Sequence, residues 1–288
     1  MKRTLMTLAL PASSLYSAAA QAETYVYVHG WLPSGANLSS ENNSYSSSYP
    51  WGTTIGWPIH VGWDTGSDWR NGVANAKATL DARCLRTTPG ASCTVVCHST
   101  GCAVMGRTMD VHGTVNGTPR WRVNRVLALA SAEGGSELGT IFGDTVKMAD
   151  MVGSVFGFSG PVTPSLQFLT PSVVRSAYDH NDTAGTAWLH VAGFDGHLGS
   201  FLLPGQDDGI VSFHSACGYV KVFGATQCSN DWEWVRKTSW GVPYYVMREV
   251  ARWTNHGRVN YCGRDGCDKD HMGLLGFNYQ NLATQAAP

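Results

Sequence analysis

Charge is scarce in this 288-residue chain. Twenty Lys and Arg stand against 21 Asp and Glu, for a net charge of −1. With no basic excess there is no electrostatic footprint for a nucleic-acid backbone, and no nucleic-acid partner is expected. No apolar run beyond residue 22 is long enough to span a bilayer. There is no internal repeat and no linker composition that would split the chain, so a solenoid is not expected. The surface must instead be built from Gly, Ser, Asn, Thr and aromatic residues. That composition suits an exported enzyme, and it also suits a binding module whose 11 tryptophans form an aromatic surface.

What is present begins with Met1-Lys2-Arg3, a short apolar run through Leu15, and Ala18-Ala19-Ala20-Gln21-Ala22. A basic start, a short apolar stretch and an A-x-A end form a secretory signal peptide. Cleavage near Ala22 would leave Glu23 as the first mature residue and place the protein outside the cytoplasm. Eight cysteines, an even count, fit that oxidising compartment. Three pairs lie close in sequence: Cys84 with Cys93, Cys217 with Cys228, and Cys262 with Cys267. Cys97 and Cys102 remain, either bridged to each other or kept as two buried thiols.

Thr94-Val95-Val96-Cys97-His98-Ser99-Thr100-Gly101-Cys102 reads as a buried strand entering a tight turn, with a small-residue helix start behind it. Ser99 sits at the tip. This is the layout of a nucleophile elbow, with Cys97 where G-x-S-x-G would have its first glycine. A buried strand end whose serine caps the next helix would read the same way. Upstream, Thr24–Val28 is a strand ending at His29-Gly30-Trp31, a place where a backbone N–H can point at a reacting carbonyl oxygen, or an ordinary glycine turn. Residues 33–53 read as a long surface loop. Strands are expected at Ile59–Trp63, Arg122–Ala130 and Ala187–Gly193. Helices are expected from Ser67 or Asp68 to Cys84, over Thr100–His112, and over Tyr244–Trp253. Alternating strands and helices point to a mostly parallel central sheet with helices on both faces.

With these pieces in order, the chain resembles the α/β-hydrolase superfamily, most of all its bacterial secreted lipases and esterases. Val28-His29-Gly30-Trp31 matches the oxyanion strand and Cys97-His98-Ser99-Thr100-Gly101 the elbow. The strand ending Ala130-Ser131-Ala132-Glu133-Gly134-Gly135-Ser136 matches the segment that follows in lipases. Asp207-Asp208-Gly209-Ile210-Val211 matches the segment carrying the acid, and Asp270-His271-Met272 the histidine. The resemblance implies one α/β-hydrolase domain over 23–288 after the 1–22 leader, with a lid or cap, or else peripheral helices, within 139–186. It implies Ser99 as nucleophile, His271 as base, Asp208 as acid, and the N–H groups of Trp31 and Thr100 as oxyanion hole. Asp207 is expected to be a solvated neighbour, Asp195 is a further candidate acid, and His256 is the rival base. His98 is expected to point away from Ser99.

No cofactor is expected and no metal ligand is assigned. Cys262, Cys267 and His271 have a spacing that could hold part of a zinc site, but export favours a disulfide. Some secreted lipases that this chain resembles bind a structural calcium, but Asp265, Asp268 and Asp270 form no spaced ligand motif, so calcium binding stays open. The implied activity is hydrolysis of carboxylic esters by a secreted monomer acting on small, lipid or polymeric (polyester) substrates. An amidase or peptidase would use the same triad. A non-catalytic polymer- or glycan-binding member would not need Ser99, Asp208 and His271 to converge.

Overall fold

The computed structural model describes residues 23–31, 59–142, 164–193, 203, 207–220, 232–249, 251–258, 271 and 273–276. The leader, the 33–53 loop, Asp195, Cys228, Cys262, Cys267 and the acidic residues at 265–270 lie outside the described residues.

Six strands form one sheet: β1 (Thr24–Val28), β2 (Ile59–Val61), β3 (Cys93–His98), β6 (Val123–Leu129), β7 (Ala187–Val191) and β10 (His256–Arg258). Their order is β10-β7-β6-β3-β1-β2, and every pairing is parallel. A strand buried on both faces needs apolar residues at successive positions rather than at alternate ones. β3 meets that need: all six of its residues are buried. Val26, Val28, Val95, Cys97, Val126 and Ala128 face one core. Their neighbours Tyr27, Val96, Leu127 and Leu129 are equally buried on the opposite face.

Two helices pack into the first core. α1 (Gly72–Arg83) follows a short 3-10 turn, Trp69–Asn71, capped by the Asp68 side chain, which accepts the Arg70 N–H. α2 (Thr100–His112) buries Cys102, Val104, Met105 and Met109. Gly101 is what lets α2 start where it does. A Cβ there would lie 2.4 Å from the carbonyl oxygens of both Val28 and His29. The close approach holds the end of β1 against the start of α2. Cys84 and Cys93, close in sequence, form a disulfide that ties the end of α1 to the start of β3. A small hairpin of β4 (Thr114–Val115) and β5 (Thr118–Pro119) connects α2 to β6.

Where a helix is expected over Tyr244–Trp253, residues 244–249 are instead strand. β8 (Trp232–Ser239) and β9 (Val242–Glu249) pair antiparallel around Trp240-Gly241, with Ser239 opposite Val242. Trp240 at φ 53° and Gly241 at φ 79° both take left-handed backbone, which is what a two-residue hairpin turn requires. That turn overrides the weak helical spacing beyond it. Within 139–186, the turn Pro164–Leu169 and the helix Pro171–Ser176 bury Leu166, Leu169 and Val174 in the core. Among the described residues no helix is long and apolar enough to cross a membrane.

Candidate active site

β3 ends at His98, and Ser99 follows with φ 53° and ψ −128°. A non-glycine residue holds such a conformation only under strain, about 1–3 kcal/mol, and only where its surroundings over-determine it. In this fold they do. The Ser99 N–H donates to the Leu129 carbonyl at 3.0 Å. The Ser99 carbonyl accepts from the N–H groups of Cys102 and Ala132, each at 3.0 Å. Cys97 and Cys102 are bridged across the turn, with Cα atoms 4.9 Å apart. Closing so short a loop contributes about 2 kcal/mol on the chain-entropy account. The disulfide also explains how cysteine serves where glycine was expected: its side chain is spent inward on the bridge.

His271 and Asp208 meet. The His271 Nδ1–H donates to Asp208 Oδ2 at 2.9 Å, and the two backbones are joined by His271 N–H to the Asp208 carbonyl at 2.9 Å. The other oxygen, Oδ1, accepts from the N–H groups of Ile210 at 3.0 Å and Val211 at 2.8 Å. Both carboxylate oxygens are thus committed, one to the backbone and one to the imidazole. Both side chains are almost wholly buried.

His98 does not simply point away. Its Nε2–H donates to the His271 carbonyl at 2.9 Å, and the two rings lie 4.7 Å apart. The residue before Ser99 therefore seats the segment that carries His271. Sequence reasoning missed this role, and adjacency to Ser99 was the only signal for it. A second missed pair holds the acid loop. Glu137 accepts from His214 Nε2 at 2.7 Å and from the Ser212 hydroxyl at 2.9 Å, while the Ser136 hydroxyl donates to the Ile210 carbonyl.

At the end of β1, the Trp63 indole N–H donates to the His29 carbonyl at 2.9 Å, and the His29 and Trp63 rings stack at 5.3 Å. His29 Nδ1–H donates to the Gly30 carbonyl. These contacts fix the loop from which Trp31 projects, and Gly101 keeps that loop against α2. Trp31 is half-buried at the edge of the core.

Asp207 is corrected: it is buried, not solvated, and its Oδ1 accepts the Gly209 N–H at 2.8 Å. It shapes the loop as an Asx turn, which gives its carboxylate a backbone partner in place of water. His256 lies with Glu133, where its Nε2 is 3.4 Å from Oε1; the carboxylate beside His271 is Asp208.

Burial keeps two site histidines neutral. Desolvation lowers His29 from 6.5 to about 4. Desolvation, helped by the neighbouring His271, holds His98 well below 6.5. Both groups bind a proton more readily in the unfolded chain. Their contribution is complete above about pH 6.5 and is lost as pH falls toward 4. The melting temperature should therefore drop between pH 7 and pH 4, with a shallower slope for His29→Gln. A melting temperature that is flat or rises over this range would contradict the neutral assignment.

No protein-family model and no curated protein matches the sequence. Solved structures do match. The mature form of a Bacillus licheniformis lipase superposes with a TM-score of 0.59 at 15% identity, covering 92% of this chain and 91% of that one. Lipase 1 from Pelosinus fermentans gives 0.51 at 15% identity, covering 91% and 98%. A Staphylococcus hyicus lipase gives 0.51 at 11% identity, covering 88% and 89%. At such identities the likeness is one of architecture, and with the parallel sheet it establishes that this chain has the α/β-hydrolase fold.

Proposed function

We propose that the protein is an exported serine hydrolase of carboxylic esters. The observation that carries this reading is the strained Ser99 turn, one residue from a histidine that holds His271, itself paired with Asp208 at 2.9 Å. A serine hydroxyl is a weak nucleophile until a base removes its proton. His271 Nδ1–H is committed to Asp208, which leaves Nε2 bare to accept that proton. Ser99 Oγ attacks the ester carbonyl while its proton passes to His271 Nε2. The backbone N–H groups of Trp31 and Thr100 receive the charge that develops on the carbonyl oxygen. The imidazolium then protonates the departing alkoxide, leaving an acyl group on Ser99. Water, deprotonated by His271, attacks the acyl carbon and releases the carboxylic acid.

The comparison structures are lipases, and the apolar Trp31 beside the site suits an acyl chain or an aromatic acid. The substrate class is therefore lipid, small or polymeric esters. The two disulfides of the sheet support an oxidising location, consistent with removal of residues 1–22 on export. The test is hydrolysis of p-nitrophenyl esters from acetate to palmitate, with fluorophosphonate labelling followed by mass spectrometry. Turnover together with a label on Ser99 is expected, and the chain-length profile separates esterase from lipase. A folded, oxidised protein that turns over no ester and takes no label would overturn the reading.

A further inference from the structure

A second cluster of reactive side chains lies outside the Ser99 site. Glu133 follows the end of β6, His190 lies on β7 and His256 begins β10. Their donor atoms all fall within 4.8 Å of one another, and all three residues are buried. The residues are far apart in sequence and share no spacing motif. Only the parallel alignment of β6, β7 and β10 brings them together.

The proton inventory is the informative part. His256 Nδ1 lies 2.9 Å from the Thr254 carbonyl. A carbonyl only accepts, so Nδ1 carries the hydrogen and a neutral ring presents a bare lone pair at Nε2. That lone pair faces Glu133 Oε1 at 3.4 Å. The second carboxylate oxygen, Oε2, faces His190 Nε2 at 3.5 Å. Neither ring nitrogen of His190 makes a hydrogen bond of good geometry among the described residues, although the Ala216 backbone also lies beside the ring. Glu133 has two hydroxyl neighbours as well, Ser131 at 3.3 Å and Tyr178 at 3.4 Å. Each of these four polar side chains stands off from the buried carboxylate by 3.3 Å or more.

An imidazole N–H that donated to a buried carboxylate would close on it. The same molecule does so twice, at 2.7 Å between His214 and Glu137 and at 2.9 Å between His271 and Asp208. Charge-assisted bonds of this type are about 2.7–2.9 Å long. The 3.4 and 3.5 Å separations, one from each carboxylate oxygen, instead leave room for a cation, and one carboxylate oxygen and both ring nitrogens lie within 4.8 Å of one another. Zinc bonds to imidazole and carboxylate are about 2.0–2.1 Å, and a tetrahedron with such bonds has edges of about 3.4 Å. The outer shell fits as well: a ligating histidine usually donates its other N–H to a backbone carbonyl, as His256 does to Thr254. Space is kept beside the ligand atoms by Gly218, where a Cβ would lie 2.9 Å from His190 Nε2 and 3.2 Å from the His256 Cβ.

We propose that Glu133, His190 and His256 form a structural site for a zinc-class divalent transition metal, with a fourth position left for water. Two imidazoles and one carboxylate suit zinc in donor type and number. The site clamps three neighbouring strands at the edge of the sheet. It also touches the elbow, because the N–H of Ala132, next to Glu133, donates to the Ser99 carbonyl. The metal takes no part in bond making at Ser99. It holds the turn on which Ser99 rests.

The experiment uses the full oxidised protein. Metal content is measured by mass spectrometry after desalting, and melting temperature is followed through chelation and zinc re-addition. About one zinc per chain is expected. Chelation should lower the melting temperature by ~5–10 °C, and micromolar zinc should restore it. Co2+ added to the chelated protein should give the visible absorption of a tetrahedral site. Glu133→Gln, which keeps the side-chain volume, should lose the stoichiometric metal and the thermal response together. If that variant does not fold, the chelation and cobalt measurements on the unaltered protein decide alone. No retained metal, no thermal shift with zinc and no cobalt band would overturn the proposal. Retention of one zinc by a folded Glu133→Gln protein would overturn it too, by placing the ion elsewhere.

Discussion

Ser99→Ala should lower kcat for p-nitrophenyl esters by ~10^5–10^6-fold while leaving the melting temperature nearly unchanged. The size follows from what is lost. The oxyanion donors and the substrate pocket survive the change, but no acyl-enzyme can form. The unchanged stability follows from the backbone: alanine and serine suffer the same steric cost at φ 53°. Ser99→Gly separates the two effects. Glycine has no Cβ to strain at positive φ, so this variant should be equally inactive yet more stable by about 1 kcal/mol. Such a pair of results would show that the strain is held to present the hydroxyl rather than to support the sheet. Residual activity within ten-fold of the unaltered enzyme would remove Ser99 as the nucleophile.

The elbow is legible because its signals are local. Val95 and Val96 favour a strand, the small residues after Ser99 permit a helix start, and β3 and α2 fall where these cues put them. The pairing of His271 with Asp208 is legible only through resemblance, since 63 positions separate the two residues and nothing local links them. The place of His98 is hidden because its partner, the His271 carbonyl, is a tertiary contact. The hairpin of β8 and β9 is masked by apolar spacing that suits a helix. A two-residue turn at Trp240-Gly241 with both φ positive outweighs that spacing. Asp207 reads as solvated on the rule that carboxylates face water. A backbone N–H inside an Asx turn can replace that water, and the sequence does not say when it does. Glu133, His190 and His256 escape for the most general reason. His190 and His256 lie on separate strands and Glu133 in the turn beyond a third, and only the strand order of the sheet makes them neighbours.

Asp208→Asn should cost ~10^4-fold in kcat with little change in fold, and the reason can be followed atom by atom. Oδ1 of Asp208 accepts two backbone N–H groups, from Ile210 and Val211. In the variant the amide oxygen must stay there, because an NH2 group facing two N–H donors would leave all of them unsatisfied. The NH2 group is therefore forced into the place of Oδ2, opposite His271 Nδ1 at 2.9 Å. It can only donate, so Nδ1 must accept and the single ring proton moves to Nε2. A histidine protonated at Nε2 cannot take the proton of Ser99. Asp207→Asn makes the contrast. Its Oδ1 accepts the Gly209 N–H within the turn, a role an amide oxygen can keep. The His271 tautomer is then untouched, so the effect on kcat should be small beside that of Asp208→Asn. Nuclear magnetic resonance of the His271 ring nitrogens would read the tautomer directly. A ten-thousand-fold loss in Asp208→Asn without a tautomer change would refute this proton-placement mechanism. The opposite ranking of the two aspartate variants would move the acid from Asp208 to Asp207.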